Sequence, residues 1–316
     1  MTTSCTRDFD AYLRVNRALP WEWIAALRRL TGNNDFQCQA EFPQSELGSL
    51  SSLCVDEGRF IHFCARQSFR LQNDSMSTFS LILVTNRKPD SAMPGEGRWD
   101  LGSVMTIAPG KSLDLLIDTG SRVILVQPEL RAPELTAPVE CSEDISRMVG
   151  DYLSRARFFR NHEDAVIATG TLIRDLCRVM EGGQAPEPAP EMDRRLLRVI
   201  ARIEEEGRWD FNLGELATYS GVSERNLYYL MKRETGLTPY RMYQRQRLLR
   251  VRRRLVDCQC DLPHISWYAA DEGFSHLGRF AALYRQHFGE LPSETVQWRR
   301  LPGTKPGEAA QTLSVY

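Results

Sequence analysis

The sequence has no apolar run near the ~20 residues that span a bilayer, so no membrane-spanning segment is expected. Its first residues, MTTSCTRDFD, are polar and include acids, unlike a secretory signal, and the expected location is the cytoplasm. Histidine is scarce: His62, His162, His264, His276 and His287 are dispersed, and only His62 falls in a strand-like region. A cupin-type metal enzyme needs clustered His and Glu, and that cluster is missing. No GxSxG, P-loop or Rossmann glycine pattern occurs either, so no catalytic residue, metal or cofactor is expected. Eight cysteines are scattered over 316 residues and do not read as a disulfide framework. Cys258-Gln259-Cys260 with His264 supplies one ligand too few for a structural zinc tetrahedron and reads as packing thiols.

What is present is a chain of two characters. Net charge is only −1, yet residues 191–300 carry 19 Lys and Arg against 15 Asp and Glu, and the remainder is acidic. A basic module beside an acidic one suits an anionic partner for one half. Gly182-Gly183-Gln184-Ala185-Pro186-Glu187-Pro188-Ala189-Pro190 marks the boundary, since two glycines stop a helix and three prolines forbid its resumption. The expected division is a first domain over 1–183, a linker over 184–190, a helical domain over 191–300 and a flexible tail over 301–316.

In the first domain, Pro20 opens a short helix stopped by Gly32. Strand-like runs follow at Arg59 to Leu71, Thr78 to Thr85, Leu101 to Ile107, Leu113 to Ile117 and Arg122 to Gln127. Short strands with turn signals such as Pro109-Gly110 and Thr119-Gly120 suggest a sandwich or barrel. From Ser142 the pattern is helical, and Ala165, Val166, Leu172, Ile173, Leu176, Val179 and Met180 form an apolar stripe that either packs on the sheet or serves as a dimer face. Trp21, Trp23, Phe60, Phe63 and Phe79 read as core or as the lining of a small-molecule pocket. Arg59, Arg66 and Arg70 read as surface charge or as partners for a carboxylate ligand.

The helical domain holds two similar units. Asn212 can cap a helix, Leu213, Leu216 and Ala217 face inward, and Gly221 stands four residues after Ala217, where a tight turn needs positive φ. Ser223 can cap the next helix, with Leu227, Leu230 and Met231 inside. Alanine, glycine at +4 and a large apolar residue at +10 make a helix-turn-helix pattern. It recurs with Ile265, Tyr268, Ala269, Gly273, Ser275 as cap, Phe280 and Tyr284, with one extra residue after the glycine. Between the units, Pro239 to Val256 contains seven arginines and no acid and reads as a long joining helix.

These motifs resemble the AraC/XylS family of bacterial transcription regulators over Arg194 to Arg300. The resemblance is carried by Gly273-Phe274, Phe280, Tyr284, Phe288-Gly289 and Pro292-Ser293. The wording around Gly273 to Ala281 is similar to the branch holding XylS and the ethanolamine-operon activator. The resemblance implies an α+β chain: a β-rich, jelly-roll or cupin-like sensor or dimerisation domain with helices after it, then an all-α double helix-turn-helix domain. It implies double-stranded DNA, RNA polymerase and a small effector as partners, a homodimer among the assembly states, and activation of a catabolic operon. An aromatic acid or an amine is the effector class considered. The alternatives are a cupin-type metal-dependent enzyme and a DNA-binding protein without effector.

In a helix-turn-helix the second helix enters the major groove. Arg225, Asn226, Tyr228 and Tyr229 of the first unit are the expected DNA contacts, and His276, Gly278, Arg279 and Ala282 those of the second, with Arg285 also outward. Arg225 and Arg279 suit guanine O6 and N7. Arg252, on the joining helix, is expected to contact phosphate.

Overall fold

The computed structural model describes residues 9–85, 101–129, 142–190, 192–205, 210–258 and 264–300, so the expected tail over 301–316 lies outside the described residues. Among them run a 3-10 turn Asp10–Tyr12, β1 (Leu13–Ala18), α1 (Pro20–Thr31), β2 (Gln37–Ala40), β3 (Gly48–Val55), β4 (Gly58–Ala65), β5 (Phe69–Asn73) and β6 (Ser80–Thr85). Next come β7 (Leu101–Ile107), β8 (Leu113–Ile117), β9 (Arg122–Pro128), α2 (Ser142–Ala156) and α3 (His162–Met180). The rest is helical: α4 (Arg194–Glu204), α5 (Leu213–Ser220), α6 (Glu224–Thr235), α7 (Pro239–Asp257), α8 (Ile265–Asp271), α9 (Leu277–Phe288) and α10 (Pro292–Arg300). The chain is thus α+β, with β-sheets in its N-terminal part and helix-turn-helix units in its C-terminal part.

Six strands pair in the order β1-β3-β4-β9-β6-β7 and three in the order β2-β5-β8, all antiparallel. Side chains alternate between faces along a strand, and here both faces of the larger sheet are covered. Leu50, Ile61, Phe63, Ile82, Val123 and Leu125 face the smaller sheet and α1, where they meet Trp23, Phe36, Phe69 and Leu71. Leu53, Phe60, Leu81, Leu83, Ile124 and Val126 face α2 and α3, where they meet Ile145, Val149, Tyr152, Ile173 and Leu176. Two covered faces explain why β4, β6 and β9 read as nearly continuous apolar runs rather than as alternating ones.

Several sequence expectations change. The run Arg59 to Leu71 is two strands, β4 and β5, in different sheets. β1, β2 and β3 carried no expectation. The apolar stripe of α3 is buried within its own chain, with Ile173 and Leu176 at 0% exposure, and is not a face left over for a second copy. Trp23, Phe60, Phe63 and Phe79 are buried core, and Trp23 sits edge-on against Phe63 and Phe69 at 5.0 and 5.3 Å. Arg66 and Arg70 pair with Glu46 and Asp114, and Arg59 donates to the carbonyl of Thr31 and pairs with Glu129.

The first helix-turn-helix unit has its own core, built from Leu196, Val199, Ile200, Leu216, Leu227 and Met231 among others. The second does not. Ala269, Phe280, Tyr284, Phe288 and Val296 are continuous with the core beneath α2 and α3.

Candidate nucleic-acid interface

In the first unit, the Asn212 side chain accepts from the Glu215 N–H and caps α5. Leu216 and Ala217 point inward. The helix stops at Gly221, φ +73°, where an L side chain is strained. The Gly221 N–H donates to Thr218 O and the Val222 N–H to Ala217 O. Ser223 then accepts from the Asn226 N–H and starts α6.

The second unit repeats the two backbone hydrogen bonds of this turn. Gly273 has φ +74°. Its N–H donates to Ala270 O, and the Phe274 N–H donates to Ala269 O. The start of the next helix differs. His276, not Ser275, is the N-cap of α9, and its side chain makes no capping bond. The extra residue after the glycine moves the helix start one position along.

With Leu227 and Met231 buried, the opposite face of α6 presents Arg225, Tyr228 and Tyr229, all exposed. They form one cluster: the Tyr228 and Tyr229 rings are perpendicular at 5.8 Å, and the Arg225 guanidinium lies 5.8 Å from the Tyr229 ring. Asn226 is exposed on the flank. In α9, burial of Phe280, Tyr284 and Phe288 leaves Gly278, Arg279, Ala282 and Arg285 exposed, with His276 exposed at the N-cap. The structure therefore brings Arg225, Tyr228 and Tyr229 onto one face and Gly278, Arg279, Ala282 and Arg285 onto another, with Asn226 and His276 beside them. Lys232 and Gln286 lie on the same faces one turn further along, and both are exposed. Sequence reasoning passed over them, although each stands three or four residues beyond an outward position. The concave surface between α5 and the start of α6 is lined by Asn212, Gly214, Glu215 and Glu224, and its carboxylates disfavour a phosphate there.

Arg252 is corrected. It is 0% exposed and reaches no solvent, so it does not contact phosphate in this structure. Its Nη2 lies 2.9 Å from Glu290 and donates to Leu13 O, and its Nη1 donates to the hydroxyls of Tyr284 and Thr295. Glu290 also accepts from Arg14 at 2.6 Å. Burial works against the Glu290 carboxylate, yet Arg252 and Arg14 outweigh it and hold its pKa at about 2.

Most other α7 arginines are committed inside the chain too. Arg245 donates to the carbonyls of Phe159 and Ala156, Arg247 to that of Glu272, and Arg250, Arg253 and Arg254 pair with Glu272, Asp10 and Asp271. Arg241, at the N-terminal end, is exposed and donates to the Gln244 side chain at 3.4 Å. The arginine run is chiefly internal bracing rather than a phosphate-binding stripe.

Among the described residues no group of three or more His, Cys, Asp or Glu is placed to hold a metal ion, and no helix is long and apolar enough to cross a membrane.

Two equivalent glycine turns, each followed by a helix with an exposed polar face, on either side of one 19-residue helix, define a double helix-turn-helix protein. Residues 216–297 match the family model described as a helix-turn-helix domain. Through these helices the chain belongs to the AraC/XylS family of transcription regulators. It is similar to the XylDLEGF operon transcriptional activator 3 of Pseudomonas putida, 32% identical over 46% of this chain and 44% of that protein. It is also similar to the HTH-type transcriptional activator RhaS of Klebsiella pneumoniae, 28% identical over 43% of this chain and 48% of that one. The chain therefore matches less than half the length of these two curated relatives. A solved structure of a probable AraC family transcriptional regulator from Rhodopseudomonas palustris is 31% identical, covers 33% of this chain and 96% of its own, and has a TM-score of 0.31.

Proposed function

We propose that this protein is a sequence-specific DNA-binding transcription regulator of the cytoplasm, an effector-responsive activator of a catabolic operon. The observation that carries this is the pair of glycine turns with the same backbone hydrogen bonds, each followed by a helix with an exposed polar face. The helices over 191–300 form the DNA-binding domain. The two-sheet sandwich and its helices, within 1–183, form a jelly-roll-like effector-sensing domain, joined by the linker over 184–190.

Arg225, Asn226, Tyr228 and Tyr229 read one half-site, with Arg225 on a guanine and the tyrosines on thymine methyls or phosphate. His276, Gly278, Arg279 and Ala282 approach a second half-site about one turn, ~34 Å, away. Gly278 and Ala282 permit close approach but supply no donors, so Arg279 carries most of the second readout. An aromatic acid or amine effector shifts the protein between inactive and promoter-competent states, and RNA polymerase and a second copy of the chain are the protein partners. The relatives named as operon activators support the activator reading.

The test is a footprint of the full chain on selected promoter fragments at two salt concentrations, with and without benzoate. Two tandem protected half-sites whose affinity falls with salt are expected, and the absence of any protected duplex overturns the proposal. Protection indifferent to every small molecule tried favours a DNA-binding protein without effector.

A further inference from the structure

The N-terminal half touches the two helix-turn-helix units unequally. The 3-10 turn and β1 meet the C-terminal end of α7 and the second unit, whose α9 also packs on α3, with Gly289 against His162. Asp10 accepts from Arg253 at 2.5 and 2.8 Å, and Leu13 O accepts from Arg252 at 3.2 Å. Arg14 lies 2.6 Å from Glu290, the same carboxylate that Arg252 reaches at 2.9 Å. Asn16 donates to Asp257 at 3.0 and 3.1 Å. Trp298 of α10 lies beside the guanidinium groups of Arg14 and Arg29, at 5.5 and 4.8 Å. Below these polar contacts Phe9 and Tyr12 share a core with Phe280, Tyr284 and Phe288. The first unit closes its own core, in which Phe158 is the N-terminal side chain buried among the described residues, and the N-terminal half meets it further at the Arg157–Glu204 pair, 3.5 Å.

The holding strand is also the one best placed to move. β1 is an edge of the larger sheet, paired with β3 alone, through a ladder broken by two register shifts. Arg17, near its end, has φ +51°, a conformation that costs a non-glycine residue energy. Edge strands with bulges are held by fewer ladder bonds than central ones.

We propose that β1 and the turn before it position the second helix-turn-helix unit and not the first, so that a change of state in the sandwich reaches DNA through α8–α10. Arg14 is a positioning residue acting through Glu290. When β1 shifts, α9 keeps its contact with α3 but loses the part of its seating that Arg14, Glu290 and the 3-10 turn supply, while α5 and α6 keep theirs. The step from α9 seating to promoter affinity rests on the DNA-binding reading above, but the unequal coupling does not.

The test uses the full-length protein in two arms. Amide hydrogen exchange without DNA reports local opening of each helix. In the double variant Asp10→Asn, Arg14→Gln, exchange across α8–α10 is expected to rise about ten-fold, with α5 and α6 within two-fold of wild type. Asn16→Ala, which removes an exposed contact and leaves the buried carboxylate in place, gives a smaller rise in the same helices should the double variant fold poorly. Arg14→Lys, which keeps the charge on Glu290, restores most of the protection. Equal acceleration of both units, or of neither, overturns the proposal. Footprinting of the same variants is the second arm: the half-site read by α9 loses protection while that read by α6 keeps it. Unequal exchange with no duplex bound by wild type leaves the positioning role standing and removes the DNA-binding reading instead.

Discussion

At the scale of single residues, arginine does two different jobs in this chain, and its exposure separates them. Arg225 and Arg279 are exposed and lie on the outward faces of α6 and α9. Arg279→Ala is expected to cost about 1–3 kcal/mol on the best site and to relax preference at one base pair. Arg225→Ala should do the same at the other half-site, since Arg225 shares the exposed face of α6 with Tyr228 and Tyr229. Competition binding with single-base-pair variants checks both, and an unchanged preference would remove the assigned role. Arg252, by contrast, is enclosed by Glu290, Tyr284, Thr295 and Leu13 O. Breaking a buried charge pair by removing one partner costs about 3–5 kcal/mol. Arg252→Met should therefore lower stability by that order, seen in urea unfolding, while the salt dependence of DNA binding stays at its wild-type slope. Arg241→Ala, at an exposed end of the same helix, is expected to change stability little and to flatten the salt slope by about one unit.

At the scale of elements, what could be read in advance was whatever depends on neighbours in sequence. The two turns were legible because alanine, glycine and an inward apolar residue recur within ten or eleven positions. The start of α1 was legible because Pro20 sits where a missing N–H costs nothing, and Gly32, φ +67°, ends the helix. β3 was not: Gly48-Ser49-Leu50-Ser51-Ser52 looks like a loop, and only pairing on both sides, with β1 and β4, makes it a buried strand. Nor could the inward turn of Arg252 be read, since its partner Leu13 lies 239 positions away. A pair of glycine substitutions separates local from distant constraint in the same way. A Cβ at Gly221 meets nothing within 4 Å, so Gly221→Ala should cost only the left-handed strain, about 1–2 kcal/mol. A Cβ at Gly289, φ +78°, falls 2.5 Å from the His162 ring, so Gly289→Ala should cost that strain plus displacement of His162. Thermal melts should rank Gly289→Ala clearly below Gly221→Ala, and adding His162→Ala should erase the difference. A gap unchanged by His162→Ala would show that the ring is not what Gly289 accommodates.

For the whole molecule, one consequence of joining two halves through a common core is that groups far apart in sequence lose their contact with water together, and acid should expose this. Burial, with Arg122 adding to it, pushes the pKa of His62 in β4 down to about 3 from an ordinary 6.5. Burial, then Arg245 and Arg241, pushes that of His287 in α9 down to about 4. Burial lowers His162 as well. Each imidazole is neutral in the native protein at a pH where the unfolded chain already binds a proton. Below about pH 6.5 the unfolded state therefore gains protons that the native state refuses, and stability falls at up to about 1.4 kcal/mol per pH unit for each such histidine. The loss runs on until pH reaches the native values, near 4 for His287 and near 3 for His62. Glu290 acts in the same direction over a lower window, because its native pKa of about 2 lies below the ordinary 4.5 and its contribution disappears between those limits. Urea midpoints at pH 7.5, 6 and 5 should fall by steps consistent with at least two protons taken up on unfolding. His62→Gln should remove about one of these protons without touching the C-terminal helices. Since α8–α10 share a core with the sandwich, the protection of both regions relative to intrinsic exchange should fall over the same pH interval as His287 becomes costly to keep neutral, while that of α5 and α6 lags behind. Simultaneous loss of both helix-turn-helix units as pH falls would mean that the cores are coupled more evenly than their packing indicates.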